Sequence, residues 1–462
     1  MDNERLVTQL NQLGVFVTDC KLDALDPISR EALARVILDD FTVTIAGSEL
    51  AESARLRRVV PQFPEGMTVF GSSTGYPMTD AVWLNGVAMV SLELDEGNKA
   101  IRGHASAHVF PLALGLAEAL DVSGSGFLEA FLAGHEVASR FGNAITLRAG
   151  LHPHGNWGVT GAAAASASLL RLTAQQTARA IDNATTQALA TPFAAALNGM
   201  AIRNSWIGAA NILGYQSALT ASVEDDTTAK GIGEYVFGDV LAQLDLTNLT
   251  NDLGSRFFVT SGYFKRHASC SYTHPPADAA LALRQQLQPM HVTDIEEILV
   301  ETHHLATPLA TTHWPSRVAA MFSIPYVVAT ALKDGDCTPQ RFDAAARRDR
   351  ERLALAARVK VRLEPSIDSR LPNERGARLT LHLINGQEHQ AFVTNPVGDI
   401  DCEPFGATEL LKKTETLLGI ERAEKLQAAL NGLATATSMR AWMMKLRTIV
   451  RPDNDSKGRD TL

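Results

Sequence analysis

In the first half of the chain, hydrophobic positions recur three and four residues apart. "ISREALARVILDDFTVTIAGS" (28–48) places Leu33, Val36, Ile37 and Phe41 on one helical stripe. Asp26-Pro27 ahead of it joins a side-chain cap to a proline at the first helical position, and Gly47 marks its end. Thr79-Asp80 is the cap of a second helix, "AVWLNGVAMVSLEL" (81–94). Further helical patterns run over about 106–121, 125–149, 155–171, 174–191 and 202–222. The small residues of "GVTGAAAASASLL" (158–170) suit close backbone packing between helices. After about residue 260 the period changes. "IEEILVET" (295–302) and "VKVRLEP" (359–365) alternate as strands do, and "ARLTLHLINGQEHQAFVT" (377–394) forms two alternating runs around Asn385-Gly386, a hairpin signal. Helical stretches at about 316–333 and 339–357 lie between them. From about 405 the chain is helical again as far as Arg451-Pro452, and the tail "RPDNDSKGRDTL" reads as frayed.

The predicted fold class is mainly α with an α+β part. A large all-α domain is built from both chain ends, residues 1–264 and 403–462, with a smaller α+β domain, 265–402, inserted between them. The length of 462 residues leaves ample room for a core in each.

Composition narrows the function. With 45% hydrophobic and 20% charged residues the chain is an ordinary globular one. A net charge of −9 argues against broad phosphate-driven binding to nucleic acid or to a membrane surface. The four cysteines are scattered without a CxxC pair, as in a reduced, cytoplasmic protein. No leader pattern opens the chain, and no apolar run is long enough for a membrane helix.

Against this acidic background three short segments are cationic. "KRHASCSYTH" (265–274) holds Lys265, Arg266, His267 and His274, and no carboxylate occurs between Asp252 and Asp278. "NKAIRGHASAH" (98–108) holds Lys99, Arg102, His104 and His108, directly after "ELDE" (93–96). "LRAGLHPHGNWG" (147–158) holds Arg148, His152 and His154, and "AIRNSWIG" (201–208) adds Arg203. Arg and Lys clamp carboxylates, and His exchanges protons near neutral pH. Taken singly, each of these histidines reads as structural, and His303, His304, His313, His382 and His389 read as structural or surface. His104 and His108 have the i,i+4 spacing of metal ligands, but neither HExxH nor a cysteine accompanies them, so no metal is expected. Gly71-Ser72-Ser73-Thr74-Gly75 matches GxSxG by chance, since no helix follows directly, and neither a Walker nor a GxGxxG loop occurs.

Several segments together resemble the MmgE/PrpD family, which includes 2-methylcitrate dehydratase, cis-aconitate decarboxylase and iminodisuccinate epimerase. They are "ILDDFTVTIAGS" (37–48), "LNGVAM" with "LELDE" (84–96), "GHASAHVFPLALGLAEAL" (103–120), "GHEVASRFGNAI" (134–145), "HPHGNWGVTGAAAASASLLRLTAQQ" (152–176), "KRHASCSYTHPPADAALAL" (265–283) and "MFSIPYVVATALKDG" (321–335). The resemblance implies a helical domain with an α+β lid, a homodimer, no cofactor, and an active site between domain and lid. Family site positions fall on Asp95, His104, His152, Lys265 and Tyr326. The chain departs from the family where many members have "DDTH" and it has Glu96-Gly97-Asn98 after Asp95, and where many have Lys and it has Arg203. His267-Ala268-Ser269-Cys270 also replaces a "YPCC"-like stretch.

The expected chemistry is a lyase reaction on a small di- or tricarboxylate, by proton abstraction next to a carboxylate. A 2-methylcitrate dehydratase-like reaction leads; an epimerase, a decarboxylase or a non-catalytic polycarboxylate binder are the alternatives. Arg203, Lys265 and Arg102 hold the carboxylates, with His267, His154 and Asn98 lining the pocket. His104 or His152 is the base, Tyr326 or the other histidine the acid, and Asp95 orients a histidine.

Overall fold

The computed structural model describes residues 4–288 and 291–449; the tail expected to fray and Arg451-Pro452 lie outside them. An amphipathic first helix, α1 (Glu4–Asp19), buries Leu6, Leu10, Leu13 and Val17. In α2 (Pro27–Ser48) the Asp26 carboxylate accepts from the Ile28 and Ser29 amides at 2.8 and 3.0 Å, which satisfies two donors that a helix start leaves free. The chain continues through α3 (Ala51–Val59), α4 (Met78–Val90), α5 (Phe110–Leu120), α6 (Gly124–Ala144), α7 (Val159–Leu169), α8 (Ala174–Thr185), the single turn α9 (Ala194–Leu197) and α10 (Ile202–Val223). A short antiparallel pair, β1 (Ile145–Leu147) with β2 (Ala242–Leu244), crosses the end of α6.

The cap expected at Thr79-Asp80 sits differently. Pro77 occupies the cap position and α4 starts at Met78 without a side-chain cap. The helix also stops at Val90, before the acidic segment, so Glu93 and Asp95 stand on a turn.

Small residues decide how these helices cross. A Cβ on Gly134 of α6 would lie 2.7 Å from the Gly161 carbonyl oxygen of α7, and one on Gly214 of α10 would lie 2.5 Å from the Ala162 methyl. Bulkier residues there would hold α6, α7 and α10 apart.

The second part begins with α11 (His274–Gln286) and carries a four-stranded sheet of order β4-β3-β5-β6. Strand β3 (Ile295–Thr302) runs parallel to β4 (Val359–Leu363) and antiparallel to β5 (Ala377–Leu383), which pairs with β6 (Glu388–Val393) across a turn at Asn385-Gly386. Gly386 takes a φ of +83°, and the Asn385 side chain accepts from the Gln387 amide at 3.0 Å. The helices between the strands are shorter than their periodicity suggests. The stretch at 316–333 is broken at Phe322-Ser323 into α12 (Arg317–Met321) and α13 (Ile324–Asp334), where Ser323 caps the second piece. The stretch at 339–357 forms 3₁₀ turns before α14 (Arg350–Ala356), and α15 (Pro365–Asp368) is one turn after β4.

The last helices, α16 (Ala407–Leu418), α17 (Ile420–Asn431) and α18 (Met439–Ile449), return to the first part. There α16 packs on α2 and α18 on α5. Lys413 of α16, almost buried, pairs with Asp39 of α2 at 2.6 Å and donates to the Leu94 carbonyl at 2.7 Å. Among the described residues no helix is long and apolar enough to cross a membrane.

Candidate active site

Two backbone bridges bring the cationic segments to the acidic turn. Gly97 and Tyr263 exchange amide-to-carbonyl bonds of 3.1 and 2.6 Å in antiparallel register. Two residues outward in that register, Lys265 faces Asp95. Asn98 pairs likewise with Gly103, closing a tight loop that delivers His104 back to the same turn.

The result is a buried charge network. The Lys265 ammonium lies 3.3 Å from a Glu93 oxygen and 3.5 Å from an Asp95 oxygen, while the other Glu93 oxygen pairs with Arg203. The second Asp95 oxygen lies 3.1 Å from His104 Nδ1. Glu93, Asp95, Arg203 and Lys265 are each at most 3% exposed. The carboxylate-free surroundings read around Lys265 therefore hold only along the chain: in space two acids from residues 93–95 neutralise the clamp. Glu93 was not among the residues singled out by sequence; its signal was its place two residues before Asp95 in "ELDE".

Hydrogen bonds assign the imidazole tautomers. His104 Nδ1–H donates to the Glu96 carbonyl at 2.7 Å, beside Asp95, and leaves the Nε2 lone pair free. His152 Nδ1 accepts from the His154 amide at 3.0 Å, which puts its proton on Nε2. His154 Nε2 accepts from Arg203 at 3.4 Å, so His154 carries its proton on Nδ1. The His154 ring meets His104 edge to face at 5.3 Å and His152 at 4.5 Å, and His152 stacks on Phe193. His108 is structural: Nδ1 donates to the His104 carbonyl and Nε2 accepts from the Gly155 amide. Its ring packs so closely on Gly158 that a Cβ there would lie 2.1 Å away.

Burial and neighbouring cations set the protonation states. Burial first, then Arg203, holds His152 and His154 well below the ordinary imidazole value. Burial also lowers His104, against the pull of Asp95. Burial would raise Asp95, but Lys265, His104 and Arg203 together hold its carboxyl below the usual range. Lys265 suffers the same desolvation and is nonetheless raised, by Asp95 and Glu93. The site thus combines fixed charges with neutral imidazoles.

Four expected site residues are placed elsewhere. Arg102 sits at the tip of the 98–103 loop with φ +51°, exposed, and donates to Thr146, because the tight turn swings it outward. Asn98 directs its side chain to Ser261 and the Ala100 amide and stabilises its own loop. His267 pairs with Asp278 at 2.9 Å and meets His274 edge to face at 5.0 Å. Tyr326 donates to the Arg341 carbonyl at 2.8 Å among Trp314, Phe342 and Arg352, and burial pushes its phenol up to about 12. None of its hydrogen-bond or ring partners belongs to the histidine cluster.

Among the described residues one donor set could hold a metal: atoms of Asp95, His104 and His154 lie within 4.8 Å of one another. This differs from the His104/His108 pairing suggested by spacing. A metal there would have to displace Lys265 from Asp95 and Arg203 from His154 Nε2.

Residues 11–230 match the MmgE/PrpD N-terminal domain, and residues 267–433 the MmgE/PrpD C-terminal domain. A curated relative, the cis-aconitate decarboxylase-like protein oryM of Aspergillus oryzae, is 30% identical over 190 residues. That match covers 38% of this chain and 39% of the relative, so the chain spans about two fifths of the relative's length. With both family domains present in order over most of its length, the chain belongs to the MmgE/PrpD family.

Proposed function

We propose that the protein is a lyase that removes a proton from the carbon next to a carboxylate of a small di- or tricarboxylate, with a 2-methylcitrate-like hydroxy acid as substrate. The observation that carries this reading is the pair of opposite tautomers: a free lone pair on His104 Nε2 and a proton on His152 Nε2, bridged by His154. His104 takes the α-proton. The electron pair left on carbon forms the new double bond as the carbon–oxygen bond to the hydroxyl breaks. His152 protonates the departing hydroxide, which leaves as water. Asp95 stabilises the imidazolium formed at His104, and Arg203 and Lys265 stabilise the enolate-like charge on the substrate. The relative's name favours a second reading, decarboxylation of a cis-aconitate-like substrate, in which loss of CO2 is followed by protonation of carbon.

The test is proton NMR in D2O with 2-methylcitrate and cis-aconitate, using the wild type, His104→Ala and His152→Ala. Dehydration by the wild type is expected. His104→Ala should lose both product and deuterium entry at the α-carbon, whereas His152→Ala should keep deuterium entry and lose roughly 10²- to 10⁴-fold in product formation. Turnover of cis-aconitate alone would select decarboxylation, and an active His104→Ala variant would refute the base assignment.

A further inference from the structure

A cationic clamp meant for substrate is here filled by the protein itself. Glu93 presents one oxygen to Arg203 and the other to Lys265, the two cations on which the proposed substrate's carboxylate would land. No free charge remains, because Asp95 also pairs with Lys265. Nor is there open approach: Arg203 and Lys265 are each 1% exposed, and the face of Phe322 covers the Arg203 guanidinium at 5.3 Å. Glu93 itself sits in the left-handed region at φ +53°, where a non-glycine residue is uncommon, on a turn rather than a helix. Its side chain is therefore borne by backbone not locked into a helical ladder.

We infer that Glu93 is an internal stand-in for a substrate carboxylate, displaced from Arg203 and Lys265 when an anionic ligand binds. This inference rests on the reading of the clamp given above and adds a residue to it. Without Glu93, Lys265 would keep Asp95 but Arg203 would lose its carboxylate, a costly loss for a buried cation that the stand-in prevents in the empty site. The same device sets specificity. A monocarboxylate offers one charge to replace the one it displaces, whereas a di- or tricarboxylate brings further contacts that make the exchange favourable. Glu93 thereby lowers affinity for all carboxylates and selects those with more than one.

Binding of citrate and of acetate, measured by calorimetry on the full chain, tests this without requiring turnover. Glu93→Gln should bind both about tenfold or more tightly than the wild type, with the larger gain for acetate, so that discrimination narrows. Equal or weaker binding by Glu93→Gln, or no binding of either anion to either protein, would overturn the inference. A crystal structure of the wild type with citrate covers the case in which the variant does not fold. Glu93 turned away from Arg203 supports displacement, and Glu93 still on Arg203 refutes it. Tighter binding by the variant with no turnover of 2-methylcitrate or cis-aconitate by the wild type would leave this inference standing and remove the lyase reading.

Discussion

Asp95→Asn is the substitution that most directly probes the site. It keeps the shape of the side chain and removes one buried charge. One carboxylate oxygen lies 3.1 Å from His104 Nδ1. At an effective dielectric of about 20, a full charge at that distance stabilises an imidazolium by about 5 kcal/mol. The asparagine oxygen, a partial negative charge in the same place, retains part of that stabilisation. A net loss of about 2–3 kcal/mol remains, felt only when His104 is protonated. The Glu96 carbonyl, 2.7 Å away, still accepts the Nδ1 proton, so the tautomer should survive. His104 already lies below the ordinary imidazole value because of burial; removing Asp95 takes away the largest opposing influence and lowers it further. The ring stays a free base at neutral pH but becomes a weaker one. Deuterium entry at the substrate α-carbon should slow roughly 30- to 150-fold, with KM little changed. Nitrogen-15 NMR of histidine-labelled protein should show the same Nδ1–H tautomer and a lower titration midpoint for His104. Exchange within threefold of the wild type together with an unmoved midpoint would refute the role given to Asp95.

Three other outcomes are expected. Tyr326→Phe should leave turnover within about twofold and cost about 1–2 kcal/mol in denaturant unfolding, because its hydroxyl serves Arg341 and Arg352 rather than the histidine cluster; a loss above tenfold in kcat would restore it as the acid. His303 is buried with neither ring nitrogen partnered, and burial lowers it from 6.5 to about 4. The unfolded chain takes up that proton first, so folding stability falls as pH drops from about 6.5 to about 4, by about 3 kcal/mol for this residue; His303→Leu should flatten the wild-type stability curve over that window by about that amount. Gly47→Ala would set a methyl 2.0 Å from the Ala88 carbonyl oxygen where α2 crosses α4, and should lower stability by about 3 kcal/mol in a urea melt, with the reaction unaffected at temperatures where the variant stays folded.

The parts of this protein legible in sequence are those whose causes lie within a few residues. The Asp26 cap and the Asn385-Gly386 turn act through neighbouring backbone, and they and the strand of "IEEILVET" appear in the structure where expected, although a register shift between Ile295 and Glu297 breaks that strand's alternation. The grouping of Asp95, His104, His152, His154, Arg203 and Lys265 around one point was also foreshadowed, through the order and spacing of family segments. Local rules failed where packing overrode them. The pattern over 316–333 is continuous, yet Phe322-Ser323 interrupts it where Phe322 meets Phe193 and Arg203.

Which charges meet is set by the packing of distant segments. Along the chain Lys265 lies in a stretch free of acids; the bridge between Gly97 and Tyr263 sets it against Asp95 and Glu93. Arg102 and Tyr326 are the right residue types in the right segments, but the tight 98–103 turn points one outward and the packing around Arg352 holds the other within its own part of the fold. Even the tautomer of the proposed base followed from a carbonyl: the Glu96 oxygen fixes the proton on His104 Nδ1. The physical reason is the range of the forces involved. Caps, turns and periodicity are set by bonds between near neighbours, whereas a side chain's electrostatic partner depends on how distant segments pack, and that is decided by burial over the whole fold.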